Sequence, residues 1–266
     1  MIRKLQVPVI ANTPLSAPGH YVLTFSAPEL VQDARPGQFV AVAAGDACAQ
    51  ILRRPFSLLG VDRTRGQASL LYSAHGPTSQ MLARCVPGDA VDLIGPLGRR
   101  VFAPDARPGT RHVLVGGGYG VPPLVFLART IKEADPGADV RFVSGARSRE
   151  LLVGTEGLAE IGVMLRTCTE DGTCGGVHGR VTDALPDLLA DRDRPACVYT
   201  CGPLPMMRAV AAMAAAAGAA CQVSMEVFMP CGIGICMGCA VPRTDGTYAR
   251  GCYEGPVFDA GEVAWA

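Results

Sequence analysis

Four cysteines crowded near the C-terminus constrain this chain more than any other feature. Cys231-Gly-Ile-Gly-Ile-Cys236-Met-Gly-Cys239 is followed, after twelve intervening residues, by Cys252. Three thiolates on one loop and a fourth on a returning segment is the C-x4-C-x2-C…C spacing of a plant-type [2Fe–2S] site, in which four sulfurs converge on two irons. Gly232, Gly234 and Gly238 allow the loop to curl and backbone N–H groups to approach the sulfurs. Asp245-Gly246 supplies the turn that returns the chain to Cys252. Structural zinc also takes four thiolates, typically through paired Cys-x-x-Cys knuckles, and here only Cys236 and Cys239 form one. Residues 221–266 are Gly- and Cys-rich, show little helical periodicity and are too few to bury a core of their own, so they need a staple of this kind.

The full count of 11 cysteines is odd, which argues against a disulfide framework. Cys48, Cys85, Cys168, Cys174, Cys197, Cys201 and Cys221 are scattered, as small buried hydrophobes are. With 266 residues, 49% of them hydrophobic and 18% charged, the chain has material for two cores and a small appendage, and wholesale disorder is excluded. Lys+Arg and Asp+Glu balance at 24 each, so no basic excess exists to neutralise a nucleic-acid backbone. The most apolar stretch, 209–221, is shorter than the roughly 20 residues that cross a bilayer. Pro8, Asn12 and Pro14 interrupt any apolar signal core behind Arg3 and Lys4. The chain reads as soluble and cytoplasmic.

Short β-rich runs at 5–10, 21–26, 39–43, 56–60, 68–72 and 90–94, separated by Pro, Gly, Asp or Asn, predict an antiparallel barrel or sandwich. One helical segment, 78–84, interrupts them, with Thr78 or Ser79 as its N-cap. Beyond a Pro/Gly/Asp linker at 104–110 the pattern changes. Strands at 112–115, 140–144, 163–167 and 197–200 alternate with helices at 123–131, 183–190 and 204–217, which predicts a parallel sheet with crossovers.

Within the first region, Arg54-Pro55-Phe56-Ser57 opens a strand, and an Arg fork there can pair with a diphosphate. Leu71-Tyr72-Ser73 and the helix start Gly76-Pro77-Thr78-Ser79 follow; a helix N-terminus suits a pyrophosphate. Arg-x-x-Ser, a helix-start Gly…Thr-Ser, and Gly95-Pro96-Leu97-Gly98, in that order, resemble the ferredoxin–NADP reductase superfamily. With the C-terminal cysteine motif, the chain is similar over essentially its whole length to the electron-transfer subunits of two-subunit, NAD-linked dihydroorotate dehydrogenases. The resemblance implies FAD held by Arg54, Pro55, Phe56, Ser57, Leu71, Tyr72, Ser73, Thr78 and Ser79. At the helix start Thr78 stands where relatives commonly have the second Gly of Gly-x-Gly-Thr.

Gly116-Gly117-Gly118-Tyr119-Gly120-Val121-Pro122-Pro123 follows a strand and opens a helix, a turn against which a dinucleotide phosphate can sit. It resembles the superfamily's Gly-Gly-Gly-x-Gly-x-x-Pro segment, with Tyr119 where an aliphatic residue is more usual. Cys201-Gly202-Pro203 resembles the family's Cys-Gly-Pro turn near the nicotinamide. Gly116, Gly117, Gly118, Gly120, Cys201, Gly202 and Pro203 are therefore the expected NAD residues, with Cys201 in a steric and polar role and no residue acting as a covalent or acid–base catalyst. Ser144, Arg147, Ser148 and Arg149 are placed to hold a 2′-phosphate if NADP is used. The four histidines show no ligand spacing, and His178 and Glu226 are further candidates for a place near a cofactor.

The expected architecture is β plus α/β: an antiparallel FAD-binding β-barrel (1–105), a parallel-sheet NAD-binding domain (106–220) and a small C-terminal [2Fe–2S] domain (221–266) with Cys231, Cys236, Cys239 and Cys252 as ligands. The resemblance implies an FMN-containing catalytic subunit as partner, in a heterotetramer of two plus two, with electrons passing from dihydroorotate through this chain to NAD. Two other readings stand beside it: a flavin/iron–sulfur NAD(P)H oxidoreductase subunit acting with ferredoxin or sulfide, and a non-catalytic, zinc-stapled binding module.

Overall fold

The computed structural model describes residues 2–43, 51–191 and 193–265; Cys48 lies outside them. The N-terminal runs form six strands, β1 (Arg3–Pro14), β2 (His20–Ser26), β3 (Phe39–Ala43), β4 (Arg54–Asp62), β5 (Gln67–Ser73) and β6 (Ala90–Leu97). They close into an antiparallel barrel in the order β1-β2-β5-β4-β3-β6. Closure leaves no free edge, and inward residues such as Leu23, Phe25, Leu58, Leu70 and Leu93 fill the interior. A six-residue helix, α1 (Pro28–Asp33), starts on Pro28 and adds Leu30 and Val31 to that core. It is too short for periodicity to reveal it. The next helix, α2 (Pro77–Leu82), begins one residue earlier than expected, with Gly76 as its N-cap and Pro77 at the first turn. Ser79 is thus inside the helix, where its Oγ accepts from the Gly76 N–H at 3.1 Å.

The second region carries β7 (Arg111–Gly117), α3 (Val121–Ala134), β8 (Asp139–Ala146), β9 (Met164–Thr169), β10 (Val177–His178), α4 (Leu185–Leu189), β11 (Ala196–Cys201), α5 (Leu204–Ala216) and β12 (Ala220–Ser224). Every residue of β7 is buried, as expected for a central strand covered on both faces. Residues 226–265 then form a hairpin of β13 (Ala240–Pro242) and β14 (Tyr248–Arg250), followed by β15 (Val257–Asp259). The sheet order is β10-β9-β8-β7-β11-β12-β15. All pairs are parallel except the last, where β15 runs antiparallel to β12 with Val223 opposite Phe258.

Two features position the site. The order reverses between β7 and β11, which creates a crevice beyond their C-terminal ends. The cysteine segment is also tied to both larger parts. Through β15 it extends the sheet, with Phe258 packed on Met207, Val223 and Met225. Through Cys239 and Cys252 it packs on Phe39, Ala41 and Leu97 of the barrel. No helix among the described residues is long and apolar enough to cross a membrane.

Candidate cofactor clefts and cysteine centre

The ten described cysteines are all free. Cys168, Cys197 and Cys201 are buried and Cys85, Cys174 and Cys221 half-buried, as apolar fillers should be. The crowded four differ. Cys239 Sγ lies 3.2 Å from Cys252 Sγ, and Cys231 interacts with the Cys236 side chain, so the sulfurs fall into two pairs. Each also receives backbone N–H groups. Gly238 N approaches Cys236 Sγ at 3.4 Å and Cys252 N approaches Cys239 Sγ at 3.4 Å, while Gly234 N–H serves Cys252. Burial raises the Cys231 thiol, but the N–H groups of Cys236, Ile233 and Ile235 outweigh it and bring it down to about 6. Burial, then the hydrogen bond and charge of Cys239, push Cys252 up to about 12. Iron would neutralise that like-charge conflict.

The loop geometry serves this convergence. Gly232 and Gly234 have φ of 70° and 85°, and Met237, between the second and third cysteines, has φ 60°; it is the one non-glycine with positive φ among the described residues. A bulky residue held there is strained, and it sits between two of the four cysteines. Asp245 Oδ1 accepts from Thr247 N at 3.0 Å and closes the β13–β14 turn. Two sulfur pairs with N–H donors suit a two-iron cluster better than one zinc ion.

Beside this loop, between barrel and sheet, runs a cleft of about 630 Å³. Arg54, Pro55, Phe56 and Ser57 from the start of β4 line it, with Leu71, Tyr72 and Ser73 from the end of β5 and Thr78 and Ser79 from α2. The structure therefore brings together all nine residues expected at the flavin. Arg54 is exposed, lines the cleft, and its Nη1 donates to Leu52 O at 3.0 Å. The far wall is formed by Cys201, Ser224 and residues 225–229, which lead directly into Cys231. Glu226 stands in this wall, and its protein surroundings raise its carboxyl above the usual range. Burial, then the Glu226 charge, push the Cys201 thiol up. A neutral thiol with no activating base is a poor nucleophile, which suits a steric and polar role.

A second cleft, about 680 Å³, lies at the β7/β11 switch point. Of the seven residues expected at NAD, Gly117, Gly118 and Pro203 line it, whereas Cys201 opens into the first cleft. Gly116, Gly120 and Gly202 line neither cleft; Gly116 lets α3 pack close, with Val121 and Leu124 against it, and Gly120 and Gly202 let the two turns press together. A Cβ on Gly120 would stand 2.1 Å from Cys201 O, and one on Gly202 2.9 Å from Gly117 O. Of the residues considered for a 2′-phosphate only Arg147 reaches this cleft, joined by Arg180 and Glu170. His178 lines neither, its Nε2 pairing with Glu170 O at 3.1 Å. Arg180 and Glu170 were invisible to motif reading because they come from strand ends remote in sequence from the glycine turn. Phe228, 74% exposed against the cleft, was signalled only by being a large aromatic beside a Gly-rich loop.

A closed antiparallel barrel carrying an Arg-x-x-Ser strand, joined to a parallel sheet with a glycine turn at its switch point, defines a reductase of the ferredoxin–NADP reductase fold. A solved NADH-dependent reduced ferredoxin–NADP oxidoreductase, studied for flavin-based electron bifurcation, aligns with TM-score 0.83 at 27% identity, covering 98% of this chain and 90% of that one. A ferredoxin NADP+ reductase from Neisseria gonorrhoeae with bound FAD and NADP shares the fold at TM-score 0.65 and 16% identity, over 81% of this chain and 92% of that one. Residues 114–212 match the oxidoreductase NAD-binding domain, and residues 226–264 match the iron–sulfur cluster binding domain of dihydroorotate dehydrogenase B. The electron transfer subunit of dihydroorotate dehydrogenase B (NAD(+)) from Bacillus caldolyticus is 39% identical over 257 residues, 96% of each chain. That from Desulforamulus reducens is 35% identical over 252 residues, 94% of each. The chain belongs to this family of dihydroorotate dehydrogenase B electron transfer subunits.

Proposed function

We propose that the chain is the electron-transfer subunit of an NAD-linked dihydroorotate dehydrogenase, and that it carries FAD, a [2Fe–2S] cluster and an NAD site in one line. The observation that supports this reading most is the contiguity of the three places. The nucleotide cleft shares Leu71 and Tyr119 with the flavin cleft, and the wall of the flavin cleft runs through residues 225–229 into Cys231. Nicotinamide exchanges a hydride, iron–sulfur centres exchange single electrons, and a flavin between them converts one into the other. Arg54 would hold the flavin diphosphate, and Ser57, Cys201 and Glu226 would surround the ring where the nicotinamide arrives. Cys231 with Cys236, and Cys239 with Cys252, would each hold one iron. Gly117, Gly118 and Pro203 would seat the dinucleotide. No general base is required, so the protein's work is orientation and exclusion of water.

The partner in this reading is an FMN-containing catalytic subunit that oxidises dihydroorotate, in a two-plus-two assembly. A purified complex of the two chains should reduce NAD+ when given dihydroorotate. The likeness to the NADH-dependent ferredoxin–NADP oxidoreductase favours a second reading, with ferredoxin as the exchange partner. A complex that reduces NAD+ with reduced ferredoxin or sulfide but ignores dihydroorotate would overturn the first reading in favour of the second.

Arg54→Ala should weaken FAD binding by about 1.5–3 kcal/mol, the worth of a hydrogen-bonded charge. The cluster should remain, because Arg54 touches none of the four cysteines. Fluorescence titration of FAD into the apo-flavin chain measures this, and undiminished affinity would contradict the role given to Arg54.

A further inference from the structure

We propose that Tyr119 is a positioning residue for the nicotinamide dinucleotide: its ring, packed against two histidines of the barrel, forms the partition that guides the nicotinamide end from the nucleotide cleft onto the flavin. This rests on the relay reading above.

Among the described residues, only Tyr119 and Leu71 line both clefts. A dinucleotide whose phosphates lie against Gly117 and Gly118 must cross these two side chains to bring its nicotinamide beside Cys201 and Ser57. Leu71 is fixed, 5% exposed in the core shared by barrel and sheet. Tyr119 is 46% exposed and sits in the short turn between β7 and α3, so its place is set by what it touches. It stacks on His20 with centroids 5.9 Å apart and planes at 16°, and leans on His75 at 6.1 Å and 36°. Its hydroxyl lies 3.4 Å from His20 Nε2, a weak contact, so the ring rather than the hydroxyl carries the arrangement.

The two imidazoles are themselves anchored, His20 Nδ1 to Pro18 O at 3.0 Å and His75 Nδ1 to Ser73 Oγ at 2.9 Å. Both contact the ring, His20 from the lining of the nucleotide cleft and His75 from the lining of the flavin cleft. Aromatic pairs of this kind hold geometry beyond what their buried area supplies. These contacts join β2 and the loop after β5 to the glycine turn of the sheet, so they fix the partition relative to both binding sites. Hydride leaves the nicotinamide and arrives on the flavin only when the two rings meet face to face, and a misplacement of about 1 Å costs on the order of a hundredfold in rate.

The test uses the full chain reconstituted with FAD and cluster. It measures the limiting rate of flavin bleaching by NADH in anaerobic stopped flow, NAD+ affinity by calorimetry, and FAD content and melting temperature. Tyr119→Ala should lose roughly ten- to a hundredfold in limiting rate, with NAD+ affinity, FAD content and melting temperature close to wild type. Tyr119→Phe should keep the wild-type rate. The double variant His20→Ala/His75→Ala should follow Tyr119→Ala. A wild-type limiting rate in Tyr119→Ala, an equal loss in Tyr119→Phe, or a loss that only tracks FAD content would each overturn the proposal. A wild-type chain whose flavin NADH does not reduce would instead overturn the relay reading itself.

Discussion

Cys239→Ser should leave the chain with neither iron nor acid-labile sulfide, while a fraction of its FAD is retained. Cys239 is 1% exposed and Cys252 2%, and both pack on Phe39, Ala41 and Leu97 of the barrel. A serine oxygen there is a harder and shorter donor than the soft thiolate that iron–sulfur centres select. Its buried hydroxyl faces an apolar wall and the unmatched Cys252 sulfur. Because the segment from 226 to 252 has little core of its own, ligand binding is a large part of its folding free energy. The damage should therefore spread along residues 225–229, which form one wall of the flavin cleft, and FAD should bind less tightly. The opposite wall, built from β4, β5 and α2, is independent of the loop and keeps the flavin from being lost outright. Iron and sulfide analysis with hydrogen exchange over residues 226–252 measures both effects. A variant holding iron at the wild-type level would contradict the assignment.

Gly120→Ala should be the most damaging single methyl in the sheet domain. The added Cβ would stand 2.1 Å from Cys201 O, 2.2 Å from Cys201 C and 2.5 Å from Gly202 N. These are backbone atoms of a central strand end, so no side chain can swing away to make room. The β7–α3 turn must then separate from the end of β11, at a cost of about 3 kcal/mol. That separation also moves Gly117, Gly118 and Pro203, so NAD+ affinity should fall together with stability. Gly261→Ala is the matched control, because nothing lies within 4 Å of its added Cβ, and it should melt with the wild type. Thermal denaturation and NAD+ calorimetry on both variants test this. A Gly120→Ala protein as stable as the control would show that the two turns are not held in contact.

The parts of this molecule that are local in sequence were legible from it. Short β-rich runs separated by Pro, Gly, Asp or Asn marked all six barrel strands. The spacing of Cys231, Cys236, Cys239 and Cys252 singled out side chains that the fold pairs in space, and Arg54 to Ser57 with Gly76 to Ser79 proved to line one cleft. What was missed depends on lengths too short to show a period or on pairings between distant residues. α1 has six residues, and β15 joins β12 only after the whole cysteine loop has intervened. The helix N-cap fell on Gly76 because Pro77 fits the first helical position and lacks an N–H to be capped. The glycines of the nucleotide turn divided by a criterion no motif contains. Gly117 and Gly118 face a cleft, whereas Gly120 is small because another backbone lies where its Cβ would be. Tyr119, read in the sequence only as an unusual residue in a glycine turn, acquires meaning from His20 and His75, which reach it from the barrel.

The claim on which the account depends is that reducing equivalents entering at the nucleotide cleft reach the cysteine loop by way of the flavin cleft. The direct measurement is an anaerobic titration of the reconstituted chain with NADH, following flavin absorbance and the paramagnetic resonance of the cluster together. The account predicts that the flavin bleaches and that a reduced two-iron signal grows with it, and that Cys239→Ser shows the bleaching alone. Flavin bleaching in the wild type with the cluster left oxidised throughout, or a preparation whose only metal is zinc, would contradict it.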